Sequence, residues 1–123
     1  MNKYILSIDQ GTTSTRALLI DLSGSVVGIV QKEITQIYPK NGWVEHDPEE
    51  IINSVLYVID ELIKKQNINP EDIKSIGITN QRETTLLWDK ETGNPIHNAI
   101  VWQDNRTIDI CDKLIKNKLN DKI

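Results

Sequence analysis

The sequence is poor in the residue types that mark several common classes of protein. It has one cysteine, two histidines, no phenylalanine and only 5% aromatic residues among its 123 residues. The single cysteine, Cys111, cannot form an internal disulfide, and His46 and His97 lack the clustering expected of a metal site, so no chemical role is expected of either. The sequence also lacks an apolar run long enough for a membrane span or a signal peptide. These absences favour a single cytoplasmic domain.

Basic residues are outnumbered by acidic ones. The chain has 14 Lys and Arg against 18 Asp and Glu, which gives a net charge of −4. No basic run is long enough to grip a nucleic-acid backbone, so the charge gives no support to nucleic-acid binding. An anionic ligand must therefore be held by local groups.

A turn of small hydroxyl residues near the N-terminus provides such groups. Asp9 ends an apolar strand with a carboxylate, Gly11 allows a sharp bend, and residues 12–15 (Thr-Thr-Ser-Thr) supply four hydroxyls beside backbone N–H groups. Arg16 adds a positive charge. This set suits the phosphates of a nucleotide and its magnesium, which a carboxylate can hold through water. The alternative is an ordinary surface hairpin, because Gly, Thr and Ser favour turns in any protein.

The apolar periodicity predicts an α/β domain. Three successive antiparallel strands are expected at about 3–9, at 16–22 and from residue 26. A helix is expected after them, with Asp47 as its N-cap and Glu50 reaching back to the cap. Its apolar stripe is expected to be core: Ile51, Ile52, Val55, Leu56, Ile59, Leu62 and Ile63.

The second half of the chain is expected to resume the sheet. Strands are predicted at 73–79, 84–89 and 96–102, so that the sheet mixes antiparallel and parallel pairing. A last helix is expected from about residue 105. One of its faces carries Ile108, Cys111, Ile115 and Leu119, which makes Cys111 a small core residue rather than a nucleophile.

A polar run, residues 79–84, follows the apolar strand 73–79 directly. Ligands of α/β folds commonly bind at strand ends. Arg82 can donate hydrogen bonds and Glu83 can accept one from a hydroxyl, a combination that suits a small polyol. The alternative is an exposed charge pair, which contributes little to stability.

Trp102 ends another predicted strand and is followed by Asp104. Its indole could form the wall of a pocket against the carbon skeleton of a substrate. The alternative is that Trp102 belongs to the core and that Asp104 or Asn105 caps the following helix.

Four runs, at residues 7–16, 38–48, 77–85 and 102–107, closely resemble the amino-terminal part of glycerol kinases, within the carbohydrate kinase family that also acts on xylulose, gluconate and fucose. The likeness covers essentially the whole chain. The first run is shared with other carbohydrate kinases and, in general form, with actin-like ATPases. The run Asn-Gln-Arg-Glu-Thr-Thr, at residues 80–85, is the part that points to glycerol.

The resemblance implies a ribonuclease H-like α/β domain of the actin-like ATPase superfamily, of which residues 1–123 are the amino-terminal part. It implies ATP-dependent phosphorylation of glycerol to sn-glycerol 3-phosphate, with Mg²⁺, in a homo-oligomeric full-length enzyme. The remainder of the first domain, the second domain and the catalytic base are expected beyond this sequence. The fragment alone is therefore expected to be inactive.

The resemblance also implies residue roles. The ATP phosphates would be contacted by Thr12, Thr13, Ser14 and Arg16, and Asp9 would lie near the magnesium, through water. The glycerol site would comprise Thr12, Arg82, Glu83 and Trp102. The pair Asp104-Asn105 departs from some glycerol kinases, which leaves fine substrate preference open. The alternatives are a kinase for another polyol or sugar such as xylulose or gluconate, a non-catalytic actin-like nucleotide-binding module, or a plain interaction domain.

Overall fold

The structure, a computed structural model, describes residues 3–117 and 119. Residues 1, 2, 118 and 120–123 of the predicted domain lie outside the described residues. The helices and strands are, in chain order, β1 (Tyr4–Gln10), β2 (Ser14–Asp21), β3 (Val26–Glu33), β4 (Glu45–His46), α1 (Pro48–Gln66), β5 (Ile73–Thr79), β6 (Ala99–Ile100) and α2 (Ile108–Lys116). A short 3-10 helix, Pro70–Asp72, precedes β5.

The main sheet has four strands in the order β3-β2-β1-β5. β1 pairs antiparallel with β2, and β2 pairs antiparallel with β3. β5 returns through α1 and pairs parallel with β1. The predicted mixed sheet with three antiparallel opening strands is therefore confirmed.

The core lies between this sheet and α1. Alternate residues of the strands point toward the helix, because successive side chains of a strand face opposite sides of a sheet. The fully formed core consists of Leu6, Ile8, Ala17, Leu19 and Val30 from the sheet and Val58 and Leu62 from α1. Each fully buried aliphatic side chain contributes roughly 1.5 to 3 kcal/mol to the free energy of folding. This core therefore holds the strands, and with them the strand ends, in fixed positions.

The start of α1 follows the prediction at Asp47 and departs from it at Glu50. The Asp47 carboxylate accepts a hydrogen bond from the backbone N–H of Glu49 at 2.9 Å, which confirms the N-cap. Glu50 does not reach back to the cap. Its carboxylate accepts from the backbone N–H and the hydroxyl of Thr35, both at 3.0 Å. A partner distant in sequence thus ties the helix to the chain that leaves β3.

The predicted apolar stripe of α1 is partly wrong. Ile52 and Leu56 are 49% and 59% exposed, so they are not core. The buried face of the helix instead centres on Ser54, Val58 and Leu62, which repeat every four residues. Small, polar Ser54 lies on this face because its hydroxyl has a hydrogen-bonding partner in the sheet.

The segments predicted as strands at 84–89 and 96–102 do not extend the main sheet. Only Ala99–Ile100 forms a strand, which pairs with β4 in a separate two-stranded sheet. The other contacts are isolated bridges, between Thr85 and Ile100 and between Trp88 and Pro95. The partner of β6 is the polar pair Glu45–His46, which apolar patterning does not identify as a strand.

The prediction that Cys111 is a core residue is wrong. The helix that carries it, α2, has no buried side chain among its described residues, and Cys111 is exposed. Ile108 and Ile115 on the same face are 57% and 58% exposed. α2 is amphipathic, but among the described residues no element buries its apolar face.

In the described part of the chain, neither α1 nor α2 combines the length and apolarity needed to cross a membrane.

Candidate functional site

A cavity of about 460 Å³ lies where β1 and β5 end. It is lined by residues of both polar runs singled out in the sequence, together with the predicted pocket tryptophan: Gly11, Thr12, Asn80, Gln81, Arg82, Glu83 and Trp102. β1 and β5 are parallel neighbours, with Asp9 opposite Thr79, so their carboxyl ends meet at the same edge of the sheet. The topology therefore brings the hydroxyl turn and the arginine–glutamate run together, as a ligand shared between them requires.

The hydroxyl turn is closed by backbone hydrogen bonds. The N–H of Gly11 donates to the carbonyl of Ser14 at 2.9 Å, so this amide is used within the turn. The carbonyl of Thr13 accepts from the N–H of Ile34 at 3.0 Å, which fastens the turn to the end of β3. The turn is thus held from two sides, and Thr12 at its tip lines the cavity.

The residues predicted to bind phosphate and magnesium do not all line the cavity. Thr12 lines it, whereas four others lie outside the lining: Asp9, Thr13, Ser14 and Arg16. Asp9 and Arg16 are cross-strand partners. Because Leu6 and Ile8 point toward α1, strand alternation places Asp9 on the opposite face of the sheet. Thr13 and Arg16 are exposed, and Ser14 is buried.

One hydroxyl of the turn is not available to a ligand. Thr15 is fully buried, and its hydroxyl lies 2.6 Å from the hydroxyl of Ser54 on α1. The expectation of four phosphate-facing hydroxyls is wrong at this position. β2 already begins at Ser14, so the strand alternation turns Thr15 into the core.

Arg82 and Glu83 lie exposed at the cavity. Among the described residues, neither side chain forms an ion pair, with the other or with any third residue. Glu83 has a φ of 59°, in the left-handed region, which costs roughly 1 to 2 kcal/mol for a residue with a side chain. Such strain is typical of functional sites. Both charged groups therefore keep their hydrogen-bonding capacity for a ligand, which the alternative of an exposed charge pair would not leave them.

Trp102 is 53% exposed, so the alternative that it is a core residue is wrong. Its indole Nε1 donates to the Thr12 hydroxyl at 2.9 Å, which joins the two sides of the cavity. The alternative role for Asp104 is also wrong, because Thr107 is the N-cap of α2 and no side chain caps it. Asp104 instead accepts from the backbone N–H groups of Val44 and Arg106.

A buried ionic cluster anchors the loop that carries Trp102. Nη2 of Arg106 lies 2.7 Å from Glu45 and 2.8 Å from Asp104, whose side chains are 4% and 1% exposed. The Trp43 ring covers the Arg106 guanidinium at 3.8 Å. Sequence reasoning gave Glu45 no role, because the two ends of this cluster are far apart in the chain.

Both carboxylates of this cluster are held ionised. Hydrogen bonds from the Arg106 side chain lower the pKa of Asp104 to about 2, although burial opposes the shift. Burial alone would raise the pKa of Glu45, but hydrogen bonds from Arg106 and Asn98 outweigh it, so the pKa of Glu45 is lowered. The cluster is thus a fixed structural support behind the cavity.

No group of three or more metal-ligating side chains is assembled in the described part of the chain.

An α/β domain with a polar small-ligand cavity at its strand ends is the class of protein that this fold and site define. Residues 4–123 match the N-terminal domain of the FGGY family of carbohydrate kinases, and the chain belongs to this family.

The chain resembles individual members of the family to different degrees. It is 59% identical over 121 residues to the glycerol kinase of Carboxydothermus hydrogenoformans, which covers 98% of this chain and 24% of that protein. A crystal structure of Plasmodium falciparum glycerol kinase with ADP matches at 39% identity with a TM-score of 0.83, covering 92% and 23% of the two chains. A crystal structure of gluconate kinase from Lactobacillus acidophilus matches at 29% identity and 0.89, covering 99% and 24%. The chain spans about a quarter of the length of these relatives.

Proposed function

We propose that the complete protein transfers the terminal phosphoryl group of ATP to glycerol and forms sn-glycerol 3-phosphate. The proposal rests on one observation. The same cavity is lined by Thr12, Arg82, Glu83 and Trp102. Backbone similarity does not select glycerol, because the gluconate kinase structure superposes with the higher TM-score. The choice of glycerol rests on the 59% identity to a glycerol kinase and on the unpaired arginine and glutamate at the cavity.

Glycerol would be held by groups of complementary character. Arg82 donates to its hydroxyl oxygens, and Glu83 accepts from its hydroxyl hydrogens. Trp102 offers an apolar face to the carbon chain while its Nε1 stays bonded to Thr12. Thr12 would contact both substrates, since it belongs to the turn and lines the cavity together with the glycerol groups.

The nucleotide would lie along the turn and the adjacent sheet face. The phosphates would be held by Thr12, Thr13, Ser14 and Arg16. Because the Ser14 side chain is buried, we expect it to contribute through the backbone of the turn. Phosphoryl transfer needs the two reactants in line and the charge on the transferred group neutralised, so these residues would act by position and charge rather than by covalent chemistry.

Magnesium fits Asp9 as a partner through water. Asp9 is half-buried at the end of β1 and stands opposite Arg16. Mg²⁺ commonly keeps several waters and is held by one or two carboxylates together with substrate phosphates. A single carboxylate beside a phosphate-binding turn suits this mode, and bound magnesium would neutralise charge on the phosphates.

We also propose that residues 1–123 form the amino-terminal part of a ribonuclease H-like domain of the actin-like superfamily. The support is the three-stranded antiparallel opening followed by a helical crossover to a parallel fourth strand.

A substrate panel on the complete protein tests the proposed reaction. ADP formation would be measured with glycerol, xylulose and gluconate at equal concentration, with Mg²⁺ and ATP. We expect glycerol to give the highest kcat/KM and the product to be sn-glycerol 3-phosphate. A higher kcat/KM for xylulose or gluconate would assign the chain to another substrate of the family, and ATP hydrolysis without any acceptor would contradict the proposed transfer.

A further inference from the structure

His46 lies completely buried in β4, although no chemical role was expected of it. Both of its ring nitrogens have partners. Nε2 lies 2.8 Å from Oε1 of Gln36, and Nδ1 lies 3.2 Å from Nε2 of Gln81. The ring thus connects two glutamines that come from different parts of the chain.

Gln36 links this ring to the hydroxyl turn. Its Nε2 donates to the carbonyl of Thr12 at 3.0 Å and to the carbonyl of Ile34 at 3.1 Å. Two carbonyl partners fix the orientation of the amide, so its Oε1 must face His46. Because Oε1 can only accept, the Nε2 of His46 carries the proton and donates it.

Gln81 links the ring to the polar run on the other side of the cavity. A neutral ring that is protonated at Nε2 has an acceptor at Nδ1, and the amide of Gln81 donates to it. Oε1 of Gln81 accepts from the Thr84 hydroxyl at 2.9 Å, which orients this amide as well. Burial lowers the pKa of His46, although nearby Glu50 opposes the shift, so the ring stays neutral near pH 7.

We propose that His46 is a positioning residue, which sets the distance between the Thr12 turn and the Arg82–Glu83 pair through Gln36 and Gln81. Gln81 directly precedes Arg82 and itself lines the cavity. The connection therefore runs from the backbone of the phosphate side to the residue next to the polyol side. This inference rests on the proposed function, because the positioned groups are those assigned to ATP and glycerol.

The expected effect is on turnover more than on ATP binding. A displacement of about 1 Å between reactants can lower the rate about 100-fold. Replacing His46 by Asn keeps an oxygen near the position of Nδ1 for Gln81 and loses the bond to Gln36. Replacing it by Gln keeps a donor near the position of Nε2 for Gln36 and loses the bond to Gln81. Each variant thus breaks one half of the connection.

The test uses His46→Asn and His46→Gln in the complete enzyme, with His97→Asn and His97→Gln as matched controls. His97 has a 59% exposed side chain and lies outside the cavity lining. We expect kcat with glycerol to fall about 10- to 100-fold in both His46 variants, with the KM for ATP nearly unchanged and both controls like the wild type. A purely structural role would lower the melting temperature and leave kcat per folded enzyme unchanged, and that result would overturn the proposal.

A second measurement separates this proposal from the proposed reaction. Backbone amide signals of Thr12, Arg82 and Glu83 would be compared between the wild type and the His46 variants by NMR, without substrates. Shifts on both sides of the cavity support the positioning role even if the wild type does not phosphorylate glycerol, a result that would reject only the proposed function. Shifts confined to the neighbours of His46 in the chain would overturn the positioning role, whatever the enzyme phosphorylates.

Discussion

The charged residues in and around the cavity fall into two groups. Arg82 and Glu83 are exposed and form no ion pair in the described part of the chain. The carboxylates of Glu45 and Asp104 are buried, and both pair with Arg106, whose side chain is 14% exposed. Charges of the first group keep their hydrogen-bonding capacity for a ligand. Charges of the second group use theirs within the protein, and removing one leaves the others buried without a partner.

Replacing Arg82 with Ala should weaken glycerol binding selectively. A hydrogen bond to a charged group is worth roughly 1.5 to 3 kcal/mol, which corresponds to a rise of about 10- to 150-fold in the KM for glycerol. We expect the KM for ATP to change little. Steady-state kinetics of the complete enzyme measure both constants, with Lys90→Ala in the exposed turn after residue 89 as the control. Equal increases in the two KM values would contradict the role assigned to Arg82.

Replacing Arg106 with Met should destabilise the protein in a pH-dependent way. Breaking a buried ion pair costs about 3 to 5 kcal/mol. In the native protein the pKa of Asp104 is lowered from 3.8 to about 2, so its contribution is complete above pH 4 and is lost as the pH falls toward 2. Without the guanidinium, burial still opposes ionisation of both carboxylates, so we expect their pKa values to rise from those of the native protein. The stability deficit of the variant should then be largest at pH 7 and shrink as the pH falls from 4 toward 2.

Urea unfolding at pH 7 and pH 3 measures this deficit. Lys64→Met is the matched control, because Lys64 pairs with Asp60 on the exposed surface of α1 and should matter little at either pH. A deficit for Arg106→Met that is the same at both pH values would show that the two carboxylates are not its cause.

At the level of secondary structure, the strands around the hydroxyl turn and the start of α1 could be predicted from the sequence, because apolar alternation and a capping aspartate are local signals. The structure of segments 84–89 and 96–102 could not be predicted in this way. Within them only Ala99–Ile100 forms a strand, and it pairs with the distant Glu45–His46. The same holds within the site. The turn and the Arg82–Glu83 run have local signatures. The left-handed φ of Glu83 has none, and the Arg106 cluster joins residues 61 positions apart in the chain.

The buried face of α1 makes a testable distinction between two leucines that the sequence pattern treated alike. Leu62 is fully buried and Leu56 is 59% exposed. Leu62→Ala should lower the free energy of unfolding by about 2 to 5 kcal/mol, while Leu56→Ala should stay within about 0.5 kcal/mol of the wild type. Thermal or urea unfolding of the two variants provides the comparison, and equal losses would place the core on the wrong side of the helix.

For the molecule as a whole, the described residues line a cavity at the strand ends and leave β5 at an edge of the main sheet. Ile76 and Ile78 on β5 are 55% and 73% exposed, because α1 covers only the other three strands of the sheet. The chain spans about a quarter of the length of its relatives. In the proposed function these groups would bind and orient the substrates, which is only part of what phosphoryl transfer needs.

The 123-residue polypeptide alone should therefore not turn over ATP and glycerol. A coupled assay of ADP formation with the isolated polypeptide tests this, with the complete protein as the positive control. Turnover by the isolated polypeptide at a rate comparable to that of the complete protein would show that its cavity is a sufficient active site.

A structure of the complete protein with glycerol and a non-hydrolysable ATP analogue would show whether one cavity holds both reactants. We expect glycerol within hydrogen-bonding distance of Arg82 and Glu83, its carbons against Trp102, and the terminal phosphate at the Thr12 turn of the same cavity. Glycerol bound at another place, or a nucleotide whose phosphates avoid residues 12–16, would contradict it.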